Sequence, residues 1–288
     1  AFIIFAIGLA LLALTLVIGA EIKGARRWIN LPLLSLQPSE FVKPCFAVVT
    51  AWLISEQKLR RGFPGYLIAL ALLLVIAAIL IAQPDIGMAA VVVTVWLGQF
   101  YMAGLRLYWV MLVGLGGVGA LFSAYSFVPH VRVRVDHFLN PAAGDSYQVN
   151  RSLEAFANGG LWGRGPGEGT IKYVLPDAHA DFVFAVAGEE FGLVICLAAV
   201  GLFAFIVMRG FSRLSHEGSL FVLLSAAGLL IQFGLQAVIN MASTLHLMPT
   251  KGMTLPFLSY GGSSMLALGL GMGMMLALTR RRLAGSAL

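Results

Sequence analysis

Charge is scarce in this chain. Its 288 residues include 19 Lys and Arg and 13 Asp and Glu, 11% in all, against roughly 25% in a soluble domain. With 59% hydrophobic residues and a mean hydropathy of +0.91, a water-exposed globule is excluded. The apolar surface exceeds what one soluble core buries, so the chain belongs in a bilayer. Cysteine is nearly absent. Cys45 and Cys196 each lie in an apolar stretch, which fits small buried hydrophobes and excludes a disulfide framework. There is no GxxxxGK[ST], no HExxH and no CxxC, so ATP use and zinc hydrolysis have no support. The isoelectric point of about 9.6 comes from scattered Lys and Arg without a basic tail, and nucleic acid is not an expected partner. No internal repeat of the transporter kind is evident. The opening AFIIFAIGLALL has neither Met nor a charged n-region. That excludes a signal peptide and leads us to expect further sequence upstream.

Long apolar runs are what the chain does have. Windows of about 20 residues mark eight spans, at 1–20, 40–56, 65–82, 84–104, 107–129, 181–208, 218–242 and 263–279. The expected fold is an all-α polytopic membrane protein. Gln83-Pro84-Asp85 separates the third span from the fourth, as a turn or as a broken helix end lining a cavity. An even number of spans puts both ends of the chain on one side. Lys58, Arg60, Arg61, Arg106, Arg209, Arg213 and Arg280–Arg282 all fall on that side, which the positive-inside rule makes cytoplasmic. Outside then lie 21–39, 243–262 and one long loop, about 130–180.

Lys23, Arg26, Arg27 and Lys251 break the rule. They are either statistical exceptions or cations kept to bind an anion, with Trp28 an apolar platform beside the Arg27 fork. Polar residues inside spans default to function. Glu40 and Lys43 share a helix face at i and i+3, as an internal ion pair, as substrate contacts, or as both. Ser39 is the expected N-cap of that helix. Asp85 is read as a helix N-terminal charge at the same membrane level. Asp181 opens a span after the long Gly-rich loop. It is a helix-mouth charge or, held ionised in a cavity, a candidate general base. Glu189 and Glu190 lie roughly 12 Å further along the axis. At least one should face the interior or a polar cavity, for instance to pair with Lys43. His179 is a solvated loop histidine or a proton shuttle. The Met-rich GLGMGMMLAL is helix-packing sequence.

Six stretches taken together, KGARRWINL, LQPSEFVK, AQPDIGMA, GGLWGRGPGEG, LPDAHADFVFAVAGEEFG and LPFLSYGGSS, resemble the SEDS family (shape, elongation, division and sporulation). The resemblance covers essentially the whole chain. MPTKGMTLPFLSYGGSS is closer to the division branch than to the elongation branch. The resemblance implies a single SEDS membrane domain over 1–288, with a ten-span fold of which eight are visible. The first two spans, and any part of a substrate groove that they supply, are expected to be missing here. It implies a peptidoglycan glycosyltransferase that polymerises lipid II, with Asp181 as general base and undecaprenyl pyrophosphate as leaving group. One carboxylate then suffices, because no sugar alkoxide needs protonation. The substrate-binding set implied is Arg26, Arg27, Trp28, Gln37, Glu40, Lys43, Asp85, His179, Glu189, Lys251 and Ser259, with the cations on the pyrophosphate. No ligand spacing demands a metal, though a divalent cation (Mg²⁺ or Mn²⁺) between acids and pyrophosphate is compatible with the chemistry. The implied partners are lipid II, the undecaprenyl-pyrophosphate-linked glycan, a class B penicillin-binding transpeptidase, other division proteins and membrane lipids. The implied location is the cytoplasmic (inner) membrane at the division septum, with the site facing outward. Two other functions use the same features, a lipid II flippase and a non-catalytic scaffold of the division machinery.

Overall fold

The structure, a computed structural model, describes residues 1–22, 25–30, 35–104, 106–127, 132–133, 135–136, 138, 147–249 and 252–280. Nine α-helices are considered below. They are α1 (Phe2–Ile18), α2 (Pro38–Leu59), α3 (Gly65–Ala82), α4 (Ile86–Met102), α5 (Leu107–Phe127), α6 (Tyr147–Gly159), α7 (Val183–Leu214), α8 (Leu220–Thr244) and α9 (Gly262–Thr279). Helices cover most of the described residues of the expected spans. Four of them, α3, α7, α8 and α9, are long and apolar enough to cross a bilayer, and α1 and α4 are shorter apolar helices. The chain is a mostly helical, multi-pass membrane protein. It divides into two compact units. One comprises Ala1–Gly104, Met208–Phe233 and Gly262–Leu288, and the other Leu105–Val207 and Gly234–Gly261.

In the first unit α2 is the core element. It is the least apolar of the long helices and carries charge at both ends, yet it is buried almost continuously from Pro38 to Ser55. Its neighbour α3 is apolar all round and buries only a stripe, Gly65, Ala69, Leu73, Ile76 and Leu80, at the spacing of one helix face. Leu67, Ile68, Leu70, Leu74, Val75 and Ile81 stay exposed, as lipid contact requires. A buried Gln99 fastens the middle of this unit. Its Nε2 donates to Ala47 O of α2 at 2.7 Å and to Leu224 O of α8 at 3.0 Å. Met102, Phe211, Leu214, Leu223 and Met275 cluster at one end with Ala226 and Leu230, and Lys58 donates to Ala103 O there. The ends of α4, α7 and α9 therefore meet the start of α8 on the side that carries Lys58, Arg209 and Arg213.

Within the stretch expected as a loop, the described residues include the strands of a small antiparallel sheet, so the fold is not purely α. The sheet comprises β1 (Ala20–Ile22), β2 (Ala25–Asn30) and β3 (Ser35–Leu36), in the order β1-β2-β3. Trp28 pairs with Ala20, Arg26 with Glu21 and Ile29 with Leu36. Arg-Arg-Trp-Ile suits a half-buried pleated surface, but the run is too short to stand out beside the spans. The N-cap of α2 is Gln37, not Ser39. Proline occupies the first helical position at 38, where its missing N–H costs nothing, and this places the cap two residues upstream of Ser39.

The second unit corrects two expectations. The segment 130–180 contains helix α6 and a 3₁₀ turn at Ile171–Tyr173. Ser152, Ala155 and Gly159 form the buried stripe of α6, and the Ser152 hydroxyl donates to Thr244 O at 2.7 Å. The sixth span is not one helix. α7 breaks at Gly192, whose φ of 77° and ψ of −177° are non-helical. A continuous helix would bond the amides of Leu193 and Val194 to the carbonyls of Glu189 and Glu190. Instead those carbonyls accept from Arg164 N (2.9 Å) and Gly165 N (3.0 Å), while Leu193 N and Val194 N donate to Gly160 O (3.0 Å) and Leu161 O (3.4 Å). The Gly-rich loop supplies all four groups that the break orphans, as a break near lipid requires. Only glycine allows the approach. A Cβ on Gly163 would lie 2.3 Å from Glu190 O, and one on Gly192 would lie 2.4 Å from Gly163 N.

Candidate functional site

Asp181 lies in the turn that enters α7, two residues before Val183, where unpaired helix amides favour a negative charge. The turn is closed by Asp181 N donating to Asp177 O at 3.0 Å. Asp177 itself has φ +56°, a left-handed conformation that aspartate tolerates. Beneath the turn, Phe182, Ala185, Ala178, Leu175 and Ile171 pack with Ala155 of α6. The greasy side of LPDAHADFVFA is thus the floor of the site, and Asp181, half-buried, stands at its rim.

A second segment closes on the same turn. Asn240, buried near the end of α8, donates from Nδ2 both to Asp181 O (2.9 Å) and to Met253 O (2.6 Å). One turn earlier, Gln236 Nε2 donates to Thr254 O and Oγ1. Further on, Ser259 Oγ accepts from Leu255 N at 2.7 Å, and Tyr260 N donates to His179 O at 2.9 Å. The His179 and Tyr260 rings meet edge to face at 5.6 Å. Gly252, with φ +61°, faces the carboxylate: a Cβ there would sit 3.3 Å from Asp181 Oδ2. Of the expected set, Asp181 thus meets Asn240 and Gly252, while His179 meets Tyr260, the neighbour of Ser259. His179 is exposed and Ser259 buried. Asn240 and Gln236 were missed, although Gln232, Gln236 and Asn240 recur every four residues on one face of an apolar helix, a signal for an inward polar face. Lys251, next to Gly252, and Lys23 lie outside the described residues.

Glu189 is the most buried carboxylate of this unit, at 0% exposure. Its Oε1 accepts from Thr170 N (3.1 Å), Thr170 Oγ1 (3.3 Å) and Asn158 Nδ2 (3.5 Å), and its Oε2 accepts from Ile171 N (3.0 Å). Glu190 pairs with Lys172 at 2.6 Å, and this hydrogen bond raises the lysine pKa. The two acids hold the loop 158–172 to α7. Lys43, offered by the sequence as a partner for one of these acids, pairs with Glu40 within the first unit.

In the first unit Lys43 Nζ lies 2.9 Å from Glu40 Oε2, both side chains buried. Removing one charge strands the other, at a cost of about 3–5 kcal/mol. We expect Glu40→Gln and Lys43→Met each to lower the thermal unfolding midpoint in detergent more than the double variant does. Additive losses in that cycle would show that the pair is not coupled.

Arg27 extends from β2 to the turn between α3 and α4. Its Nε donates to Gln83 O (3.1 Å), its Nη2 to Pro84 O (2.5 Å), and its Nη1 lies 3.5 Å from Asp85 Oδ2. Asp85 caps α4 by accepting from Met88 N at 3.3 Å. Gln83, buried, reaches back to Thr15 Oγ1 and Leu12 O of α1. The guanidinium fork expected for a phosphate is filled by protein groups. Arg27→Ala should therefore destabilise the protein, since a charge-assisted hydrogen bond contributes about 1.5–3 kcal/mol. Arg27→Lys should restore only part of the loss of unfolding midpoint, for want of the fork. An unchanged midpoint would return Arg27 to ligand binding alone. Arg26 is exposed, Trp28 and Gln37 half-buried. Cys45 and Cys196 are free and buried, as expected. Among the described residues no three His, Cys, Asp or Glu side chains gather as metal ligands would.

A family model described as a cell cycle protein, FTSW_RODA_SPOVE, matches residues 1–283. A probable peptidoglycan glycosyltransferase FtsW of Caulobacter vibrioides is 45% identical over 284 residues, covering 98% of this chain and 72% of the relative. Its namesake in Trichlorobacter lovleyi is 38% identical over 270 residues, covering 90% and 70%. Among solved structures, a chain of a peptidoglycan synthase complex that coordinates polymerization and crosslinking superposes with a TM-score of 0.79 at 30% identity, covering 98% of this chain and 81% of that one. The rod shape determining protein RodA of Thermus thermophilus gives 0.70 at 30% identity, covering 97% and 77%.

Proposed function

Because the chain belongs to the FtsW/RodA/SpoVE family of cell cycle proteins, we propose that it is a peptidoglycan glycosyltransferase of the division branch, polymerising lipid II. The observation that carries the catalytic reading is the setting of Asp181. Its carboxylate stands at the mouth of a helix on an apolar floor, in a turn that Asn240 ties to the Met253 segment.

In the proposed reaction the 4-hydroxyl of the incoming lipid II sugar attacks the anomeric carbon of the growing glycan. Asp181 takes the hydroxyl proton as the new C–O bond forms. The bond from the anomeric carbon to undecaprenyl pyrophosphate breaks on the opposite face, so an α-linked donor becomes a β-1,4 link. The pyrophosphate leaves as a stable anion and needs no acid. Arg26, Lys251 and Lys23 are the cations proposed for its charge. Arg27 is engaged by the Gln83–Asp85 turn. Eight spans of a ten-span domain, an outward-facing site in the cytoplasmic membrane at the septum, and pairing with a class B transpeptidase complete the reading. The synthase complex named above supports the last of these.

The test supplies lipid II to the full-length protein with its transpeptidase, in vesicles whose outer leaflet already holds the substrate. A polymerase makes glycan there and loses it with Asp181→Ala. A flippase makes none, and its substrate translocation is what the variant changes.

A further inference from the structure

The break in α7 divides the helix chemically as well as geometrically. Beyond it, Leu193, Val194, Ile195, Leu197, Leu202 and Phe205 are all well exposed, on more than one face of the helix. From Leu193 to the residue before Arg209 the helix runs roughly 24 Å at 1.5 Å per residue, close to the ~30 Å hydrocarbon core. Before the break no large apolar residue from Val183 to Gly188 is exposed, and Glu189 and Glu190 follow. The edge of the hydrocarbon therefore falls at Phe191–Leu193.

The loop is fixed at that level by the four backbone bonds to 189–194 and by the Glu189 and Glu190 contacts. It presents Leu161 and Trp162 from one side, and Tyr173 and Val174 from the other. Trp162 is 80% exposed and Tyr173 79%, unusual for aromatic residues facing water. Trp and Tyr favour the membrane interface, where an apolar ring and a polar edge are both served. Cations flank them: exposed Arg164 beside Trp162, and Lys172, whose ammonium lies 5.3 Å from the Tyr173 ring centre.

We propose that the segment Gly160–Val174 rests on the phospholipid surface at the Asp181 end of α7. Trp162, Leu161 and Tyr173 insert at the headgroup–acyl boundary, with the exposed Arg164 toward the lipid phosphates. The occupant is the bilayer because the patch continues the lipid-facing surface of α7 without a step. The consequence is a fixed height. Asp181 is held above the hydrocarbon by the nine residues Val183–Phe191, roughly 14 Å of helix.

The test places a nitroxide at Trp162→Cys or Tyr173→Cys in the full chain in phospholipid nanodiscs, with Leu197→Cys as lipid reference and Glu168→Cys as water reference. Native Cys45 and Cys196 are buried, and the unmutated chain gives the background. Collision with oxygen should exceed collision with a water-soluble nickel chelate several-fold at 197 and reverse at 168. Positions 162 and 173 should follow 197, at a depth within about 5–10 Å of the headgroup boundary. As a second measure, bromine-labelled lipids should quench less fluorescence in Trp162→Phe than in wild type. Nickel-dominated collision at 162 and 173, or low access to both reagents because protein covers them, would overturn the proposal, as would equal quenching in the two proteins.

Discussion

Asp181→Asn is expected to lower lipid II polymerisation by about 10²–10⁴-fold, the usual contribution of a general base, while the fold survives. The second half of that expectation comes from how the residue is held. Asn240 bonds the Asp181 backbone carbonyl, not its carboxylate, and Asp181 N closes the turn on Asp177. An asparagine keeps both bonds and nearly the same shape, and loses the charge and the proton-accepting oxygen. Asp181→Glu keeps the charge but moves it by one methylene in a site where Gly252 stands against the carboxylate, so it should recover little. The measurement is glycan product formed from purified lipid II per unit time, with the unfolding midpoint of each variant alongside. Near wild-type polymerisation by Asp181→Asn would remove the base assignment. A large fall in midpoint would instead make Asp181 a structural residue.

Asn240 offers a companion experiment at the same site. Asn240→Ala removes a side chain that holds both the Asp181 turn and the Met253 carbonyl. A loss of rate there reports on positioning, and it should come with a lower midpoint, because two carbonyls, that of Met253 buried and that of Asp181 half-buried, lose a donor.

What the sequence made legible is what repeats along a helix. The third span was placed at 65–82, the bounds that α3 has, because eighteen apolar residues end in Gln-Pro-Asp. The i, i+3 spacing puts Glu40 and Lys43 on one helix face, as an ion pair, as substrate contacts or as both, and the ion pair is there. What stayed hidden depends on chain segments far apart. Nothing in VAGEEFGLVIC announces that its helix is interrupted, since hydropathy integrates over the break and Gly192 alone is tolerated in membrane helices. The break exists because residues about thirty positions earlier supply its four hydrogen bonds. Arg27 looked like a phosphate fork because its partners are mostly backbone carbonyls, and a sequence motif shows side chains only. Gln99 was invisible for the same reason: it fastens α2 and α8 through main-chain oxygens.

Glu189→Ala should produce the largest structural effect of any single substitution in the second unit. The carboxylate is fully buried and receives two backbone amides, a hydroxyl and a side-chain amide. Alanine leaves those donors facing a void, at about 1–3 kcal/mol for each buried group left unpaired. The expected result is early hydrogen exchange at the amides of Thr170 and Ile171, together with a lower unfolding midpoint. Glu189→Gln keeps one acceptor oxygen and introduces two donors where donors already converge. It should fall between wild type and alanine, nearer to alanine. Polymerisation should decline in that same order, because α6 and the 3₁₀ turn form the floor beneath Asp181 through Ala155 and Ile171. The order separates this account from the substrate-binding role that the family resemblance suggests for Glu189. If the residue touched lipid II, both variants would lose activity with Thr170 and Ile171 still protected. If it holds the loop, protection and activity go together, and Glu190→Gln, which removes the charge from the partly exposed Lys172 pair and keeps an acceptor oxygen, changes both far less.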